Sequence, residues 1–227
     1  MTAGAAPAPA GRYFGPVVAF VAPFLVYVGI MLLPLSPGVM FPVRYVVVLA
    51  VLVFASRPFI SLKPSRPLAS AGAGALVFVI WVGPDLLFHY RHHWLFENGI
   101  TGLAASSLPP ALRANVLFIA IRVLSSVALV PVVEELFWRG WLMRWWIDRN
   151  FLSVRLGTYQ AAAFWVVAVL FASEHGPYWE VGLIAGITYN LWLIHTGNLA
   201  DCILAHAVTN GTLTAYVLQA GQWQYWL

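Results

Sequence analysis

Long apolar runs, broken by short clusters of proline, glycine, arginine and lysine, recur along almost the whole chain. Roughly 20 apolar residues in helical form cross a hydrocarbon core. Seven stretches fit that pattern: 13–35, 41–56, 69–90, 114–146, 158–175, 178–195 and 199–219. None alternates apolar and polar positions with the period of two that marks a half-buried strand. Within a bilayer every backbone N–H and C=O must be paired inside the chain, which leaves helices or closed barrels. The pattern therefore predicts an all-α, polytopic transmembrane helical bundle of about seven (six to eight) spans. The second run is short, and its Arg44 is placed to snorkel to the interface. Residues 1–11, rich in Ala, Pro and Gly, read as a disordered tail. The first apolar run is too long for a signal-peptide core and reads as a retained span. The expected organisation is that tail, N-terminal membrane helices over 12–112, a chemistry-bearing core over 113–219, and a short tail at 220–227.

Composition strengthens this picture and excludes others. Of 227 residues, 61% are hydrophobic and 9% charged, against about 25% charged in a soluble domain. There is too little polar side chain to cover a water-exposed surface. The 11 tryptophans suit the belts where helices meet lipid headgroups. No basic cluster argues for a nucleic-acid partner, and membrane lipid is the partner that this composition implies. The single cysteine, Cys202, rules out an intrachain disulfide and reads as a small buried hydrophobe. Positive charge marks cytoplasmic loops. Arg57, Lys63 and Arg66 follow the second run, and Arg144, Arg149 and Arg155 follow the fourth, whereas 34–42 and 174–180 carry no Lys or Arg. These place the N-terminus in the cytoplasm and the C-terminus outside. The fourth run, about 33 residues or roughly 50 Å of helix, is too long for one upright span. Its first turns, with Arg122, are expected at the interface, with Pro131 kinking the remainder.

Polar groups inside the later runs are the candidate chemistry. Glu134 and Glu135 are adjacent in an otherwise apolar stretch, and Arg139 follows. An ionised side chain near a bilayer centre costs on the order of 2.5–3.5 kcal/mol on insertion scales, so a use or a counter-charge is expected. Side chains four apart stack on one helix face, which pairs Glu135 with Arg139. Glu134, rotated about 100° away, has no such partner and is free to exchange a proton. His175 closes the fifth run, and His206 with Asn210 share a face of the seventh. A carboxylate base and a histidine suffice to activate water, while a second histidine and an amide stabilise an oxyanion. No serine, threonine or cysteine in the spans has an equally good base at readable spacing.

Three patterns occur in order on three predicted helices: Glu134-Glu135-Leu-Phe-Trp-Arg139, Phe171-Ala-Ser-Glu-His175 and His206-Ala-Val-Thr-Asn210. They resemble the CAAX-protease and bacteriocin-processing family of intramembrane endopeptidases, over roughly residues 125–215. The resemblance implies that Glu134 and His175 activate water, that His206 and Asn210 hold the oxyanion, and that Glu135 and Arg139 support the site. Overall size and the short C-terminal tail are similar to a bacterial subgroup associated with exosortase and PEP-CTERM sorting. Family members are discussed both as metalloproteases and as metal-free glutamate proteases. His-Glu-x-x-His is absent here, and Glu134, His175 and His206 are the residues that would form a zinc site of three ligands plus water. No cofactor is assigned.

Plainer readings attach to the same residues. Glu134, Glu135 and Arg139 would serve as a structural ion cluster, His175 as an interfacial histidine, and His206 with Asn210 as helix–helix hydrogen bonds worth about 0.6 kcal/mol each. His89, His92 and His93, with Arg91 among them, read as a solvated loop. Gly182 and Gly186 mark close helix packing. Two other functions would use the fold: a non-proteolytic binding or immunity protein, and a proton-coupled transporter relaying through Glu134 and His206. Straight spans raise one conflict, because they put His175 near the outer end of its helix and Glu134 toward the inner half.

Overall fold

A computed structural model describes residues 15–106 and 108–226; the tail expected at 1–11 lies outside them. Among the described residues there are seven long helices, one isolated α-helical turn, Pro110–Arg113, and three short 3-10 turns, Phe151–Ser153, Gly176–Tyr178 and Trp223–Tyr225, with no strand beyond a single bridge between Asn98 and Gly102. The long helices are α1 (Pro16–Met31), α2 (Pro37–Phe59), α3 (Pro67–Phe88), α4 (Val116–Ile147), α5 (Ala161–Ser173), α6 (Trp179–Thr196) and α7 (Leu199–Ala220). This is the all-α membrane bundle that the apolar pattern predicts. By length and composition α2, α3 and α4 suffice to cross a bilayer, while α1 and α5 are apolar but shorter. α6 and α7 are long enough but diluted by polar residues, among them Asn190, Asp201, His206 and Asn210.

Local chemistry sets the helix limits. Prolines begin α1, α2 and α3 at the first turn, where a missing N–H costs nothing. The Asn115 side chain caps α4 by accepting from Phe118 N–H at 3.0 Å, and Asn198 caps α7 through Ala200 N–H at 2.9 Å. Gly197 and Gly221 end α6 and α7 in the left-handed region, at φ 62° and 67°.

Two expectations are corrected. α2 begins at Pro37 and runs 23 residues, so it is not short. Arg44 faces inward, 2% exposed, with its guanidinium 4.2 Å from the centre of the Tyr27 ring and 4.8 Å from that of Phe41. It does not snorkel, because ring faces rather than headgroups receive the charge. In α4, Arg122 is buried inside the bundle, with its guanidinium 4.3 Å from the centre of the Phe41 ring. The helix is continuous over 32 residues. It accommodates Pro131, whose ring crowds the carbonyl four residues back, by a π-type turn at Ser125–Leu129 immediately before it.

Close helix approach is built on small residues. A Cβ added at Gly74 of α3 would lie 2.2 Å from the Ala205 carbonyl oxygen of α7, and Thr209 Oγ1 donates to the Gly74 carbonyl at 2.8 Å. Gly186 of α6 rests against Ala168 and Phe171 of α5 in the same way. The Gly182/Gly186 step is therefore packing within the chain. At one end of the bundle Asp201 ties α7 to the α2–α3 loop through Ser65, Arg66 and Ser70. At the other, the loop after α3 is fastened to the α5–α6 turn. There Arg91, 3% exposed, reaches Glu180 at 2.7 Å and donates to the Pro177 carbonyl at 2.5 Å. Arg91 thus departs from the solvated loop expected, whereas His89, His92 and His93 are exposed.

Candidate active site

Glu134 and Glu135 lie past the middle of α4, directly before a second π-type stretch, Leu136–Leu142. Such turns interrupt the regular ladder and recur at functional sites. The two acids have different surroundings. Glu135 is fully buried, and its Oε1 accepts from Arg139 Nη1 at 3.2 Å and from His206 Nδ1 at 3.0 Å. Arg139, also fully buried, donates further from Nε to Asn190 Oδ1 at 2.9 Å and from Nη2 to the Gly186 carbonyl at 3.2 Å. Its guanidinium lies 4.3 Å from the centre of the Phe171 ring. A buried ion pair holds only when its remaining donors are satisfied, and here helices α4, α6 and α7 supply the partners.

Glu134 has no such network. Its Oε2 is buried without a hydrogen-bond partner and lies 3.9 Å from His206 Nε2. That gap is too long for a direct hydrogen bond and suits a bridging water. Glu135 Oε2 is likewise buried and unpartnered.

Both histidines are oriented through Nδ1. A carboxylate oxygen and a carbonyl oxygen only accept, so His206 Nδ1 carries a proton toward Glu135, and His175 Nδ1 carries one toward the Phe171 carbonyl at 2.7 Å. In each ring Nε2 is left for other chemistry. His206 stacks on Tyr189, with centroids 5.1 Å apart, and the Tyr189 hydroxyl donates to Thr209 at 2.8 Å. The His175 ring sits between the Trp81 edge, at 5.2 Å, and Gly182, where an added Cβ would meet Nδ1 at 3.0 Å. Asn210 Nδ2 donates to the Ser126 carbonyl at 2.9 Å, which fixes the amide plane and leaves one N–H.

Glu134, His175, His206 and Asn210 line one cavity of about 150 Å³. The conflict raised by straight spans disappears for a geometric reason. α5 ends at Ser173 after 13 residues, roughly 20 Å of helix, well short of a hydrocarbon core about 30 Å thick. Glu174 keeps a near-helical geometry and sets the His175 ring on Phe171, four residues back, before the chain turns at Gly176, φ 51°. Glu135 and Arg139 stand behind this cavity rather than on it.

Several residues of the site are not among the sequence candidates. Asn190 holds Arg139 and also donates to the Phe164 carbonyl at 2.9 Å; a lone amide in an apolar run, four after Gly186, was its visible signal. Tyr189 and Trp81 read as ordinary membrane aromatics. Arg122 also lines the cavity, as do Tyr225 and Trp226 from the segment expected as a tail. Only the tertiary fold brings these in.

No group of three His, Cys, Asp or Glu side chains among the described residues is arranged to hold a metal ion. Glu134 Oε2 and His206 Nε2, 3.9 Å apart, offer two donors, and the Glu135 contact to His206 Nδ1 is of the kind that orients a ligating histidine. His175 does not complete a set of three with them, so the zinc arrangement of Glu134, His175 and His206 does not fit this geometry.

Residues 115–212 match the family model described as type II CAAX prenyl endopeptidase Rce1-like. The matched segment contains all three patterns that resemble this family; the exosortase-associated subgroup is not part of the match. No curated protein and no solved structure matches the chain. The match covers 98 of the 227 residues, and the family that the model describes is one of CAAX prenyl endopeptidases.

Proposed function

From the Rce1-like match over 115–212, we propose that the protein is an intramembrane endopeptidase in which Glu134 activates water to hydrolyse a peptide bond of a membrane-associated or lipidated substrate. The observation that carries this reading is Glu134 Oε2, a buried acceptor with no protein partner, facing a cavity shared with two oriented imidazoles and an amide. Water held between Glu134 Oε2 and an imidazole Nε2 gives its proton to the carboxylate. The resulting hydroxide attacks the scissile carbonyl carbon. Negative charge develops on the carbonyl oxygen, where the second N–H of Asn210 Nδ2 and His206 stabilise it. Glu134 then returns the proton to the leaving nitrogen as the C–N bond breaks, releasing an amine and a carboxylate. Glu135 serves by fixing His206 and by keeping a negative charge beside it, while Arg139 offsets that charge. The location proposed is a bacterial plasma membrane with the N-terminus in the cytoplasm.

The test is cleavage by purified protein in detergent, using a prenylated CaaX peptide and a panel of single-span membrane peptides as probes. Wild type should release product, and Glu134→Gln should lower the rate by at least about 10²-fold, as loss of a general base does, with unchanged folding. Full activity of Glu134→Gln would remove the proposed base. No cleavage of any probe, with tight peptide binding retained, would favour the non-proteolytic binding function.

A further inference from the structure

Tyr225 lines two cavities at once. On its inner side is the site cavity; on its outer side is a wider cleft of about 490 Å³, lined also by Asp85, His89, His92, Gln222 and Gln224. The Tyr225 hydroxyl donates to Asp85 at 3.3 Å, and its ring packs on Tyr178 with centroids 5.3 Å apart. The segment that carries it, 221–226, follows α7 and is held largely by side chains of other elements. The Tyr178 hydroxyl donates to the Gln224 carbonyl at 3.2 Å, and Ser106 Oγ donates to the Trp226 carbonyl at 2.9 Å. Such a strap can shift without unpairing any helix.

The alternative approach, sideways from lipid, has a separate opening. The apolar groove of about 200 Å³ between α2 and α4, lined by Tyr45, Leu52 and Val132 among others, shares no lining residue with the site cavity. The outer cleft carries Asp85, Arg91, two histidines and two glutamines in its lining and shares one residue, Tyr225, with the site cavity.

The cleft also has a side. It lies where α3 and α7 end and α4 begins, opposite the loops that carry Arg57, Lys63, Arg66, Arg149 and Arg155. On the cleft side Arg91 is neutralised by Glu180 at 2.7 Å and by Asp85 at 3.9 Å, and Arg113 donates from Nε to the Leu108 carbonyl at 2.9 Å, so two loop cations stand here against the five on the opposite side. An excess of Lys and Arg marks the cytoplasmic face.

We infer that, on the peptidase reading above, water and the cleavable peptide reach Glu134 from the non-cytoplasmic face through this cleft, with Tyr225 as the gate. The substrate class is then a membrane-anchored peptide whose scissile segment is presented on the extracytoplasmic side.

Thiol labelling in intact cells tests this without requiring catalysis, because the native Cys202 is fully buried. The probe is a charged, membrane-impermeant methanethiosulfonate applied to the full chain. Gln222→Cys should label in intact cells, and Lys63→Cys only after permeabilisation. Ser126→Cys, inside the site cavity, should label slowly from outside and at least about tenfold faster with Tyr225→Ala, as expected of an opened gate. Tyr225→Phe should leave that rate unchanged. Ser106→Ala, a milder release of the strap, should accelerate it in the same direction. Protection of Gln222→Cys until permeabilisation would overturn the assigned face. An unaltered Ser126→Cys rate in both Tyr225→Ala and Ser106→Ala would overturn the gate. Absence of peptide cleavage would instead strike the peptidase reading and leave these rates as they are.

Discussion

Glu134 and Glu135 are chemically identical and adjacent, yet their surroundings give them different work. Glu135 is enclosed by Arg139, His206 and, through Arg139, Asn190, whereas Glu134 keeps an oxygen open to the cavity. The Arg139 network makes a stability prediction. Removing one member of a buried ion pair costs about 3–5 kcal/mol, because the other charge is left unpaired. Arg139→Gln should therefore lower unfolding stability in micelles by about 3 kcal/mol, and the double variant with Glu135→Gln should recover a measurable part. A double variant no better than the single would show that Arg139 acts through its contacts with Asn190 and Gly186 alone. The i,i+4 spacing made the Glu135–Arg139 pair legible in the sequence. The engagement of His206 with the same carboxylate was not, since 71 residues separate them.

Among the helices, glycine governs two contacts with different consequences. Gly74 meets backbone: a Cβ there would lie 2.2 Å from the Ala205 carbonyl oxygen, so α3 and α7 must part. Gly182 meets the His175 ring at 3.0 Å, a side chain that has some room to give. Gly74→Val should destabilise the protein by more than about 2 kcal/mol, as overpacking does. Gly182→Ala should cost less than about 1 kcal/mol, yet slow peptide cleavage about tenfold or more by displacing a ring from its working position. Unfolding midpoints together with cleavage rates separate the two. Equal loss of both properties in Gly182→Ala would mean that the glycine serves packing alone. The Gly-x-x-x-Gly step was visible in the sequence. That it sets the position of His175 follows from the short α5 and the turn at Gly176.

At the scale of the molecule, the loop between α3 and α4 covers the turn that carries His175, and Glu97 organises part of that loop. Its carboxylate accepts from His92 Nδ1 at 2.8 Å and from Ala104 N–H at 2.7 Å. Burial alone would raise the Glu97 pKa, but these hydrogen bonds and the nearby positive charges of His92 and Arg91 outweigh it and hold the group below its ordinary 4.5. A carboxyl with a depressed folded-state pKa stabilises the fold above its unfolded value, and that contribution is lost as pH falls through the folded value. Hydrogen exchange at Ala104, corrected for its intrinsic pH dependence, should therefore accelerate as pH falls below the ordinary carboxyl value, and Glu97→Gln should flatten the profile. A profile of the same shape in Glu97→Gln would show that the carboxylate does not hold the loop.

Composition and apolar periodicity were enough to determine a helical membrane protein, because the bilayer admits so few backbone solutions. Helical spacing likewise paired Glu135 with Arg139 and His206 with Asn210, since those relations are local. Meeting in space was decided by the tertiary structure alone. The inward turn of Arg44 and Arg122, the seating of His175 between Trp81 and Gly182, and the return of Tyr225 over the cavity all depend on which helix lies beside which. A hydropathy profile reports how deep a segment can sit, but it carries no information about neighbours, and the cavity around Glu134 consists of neighbours.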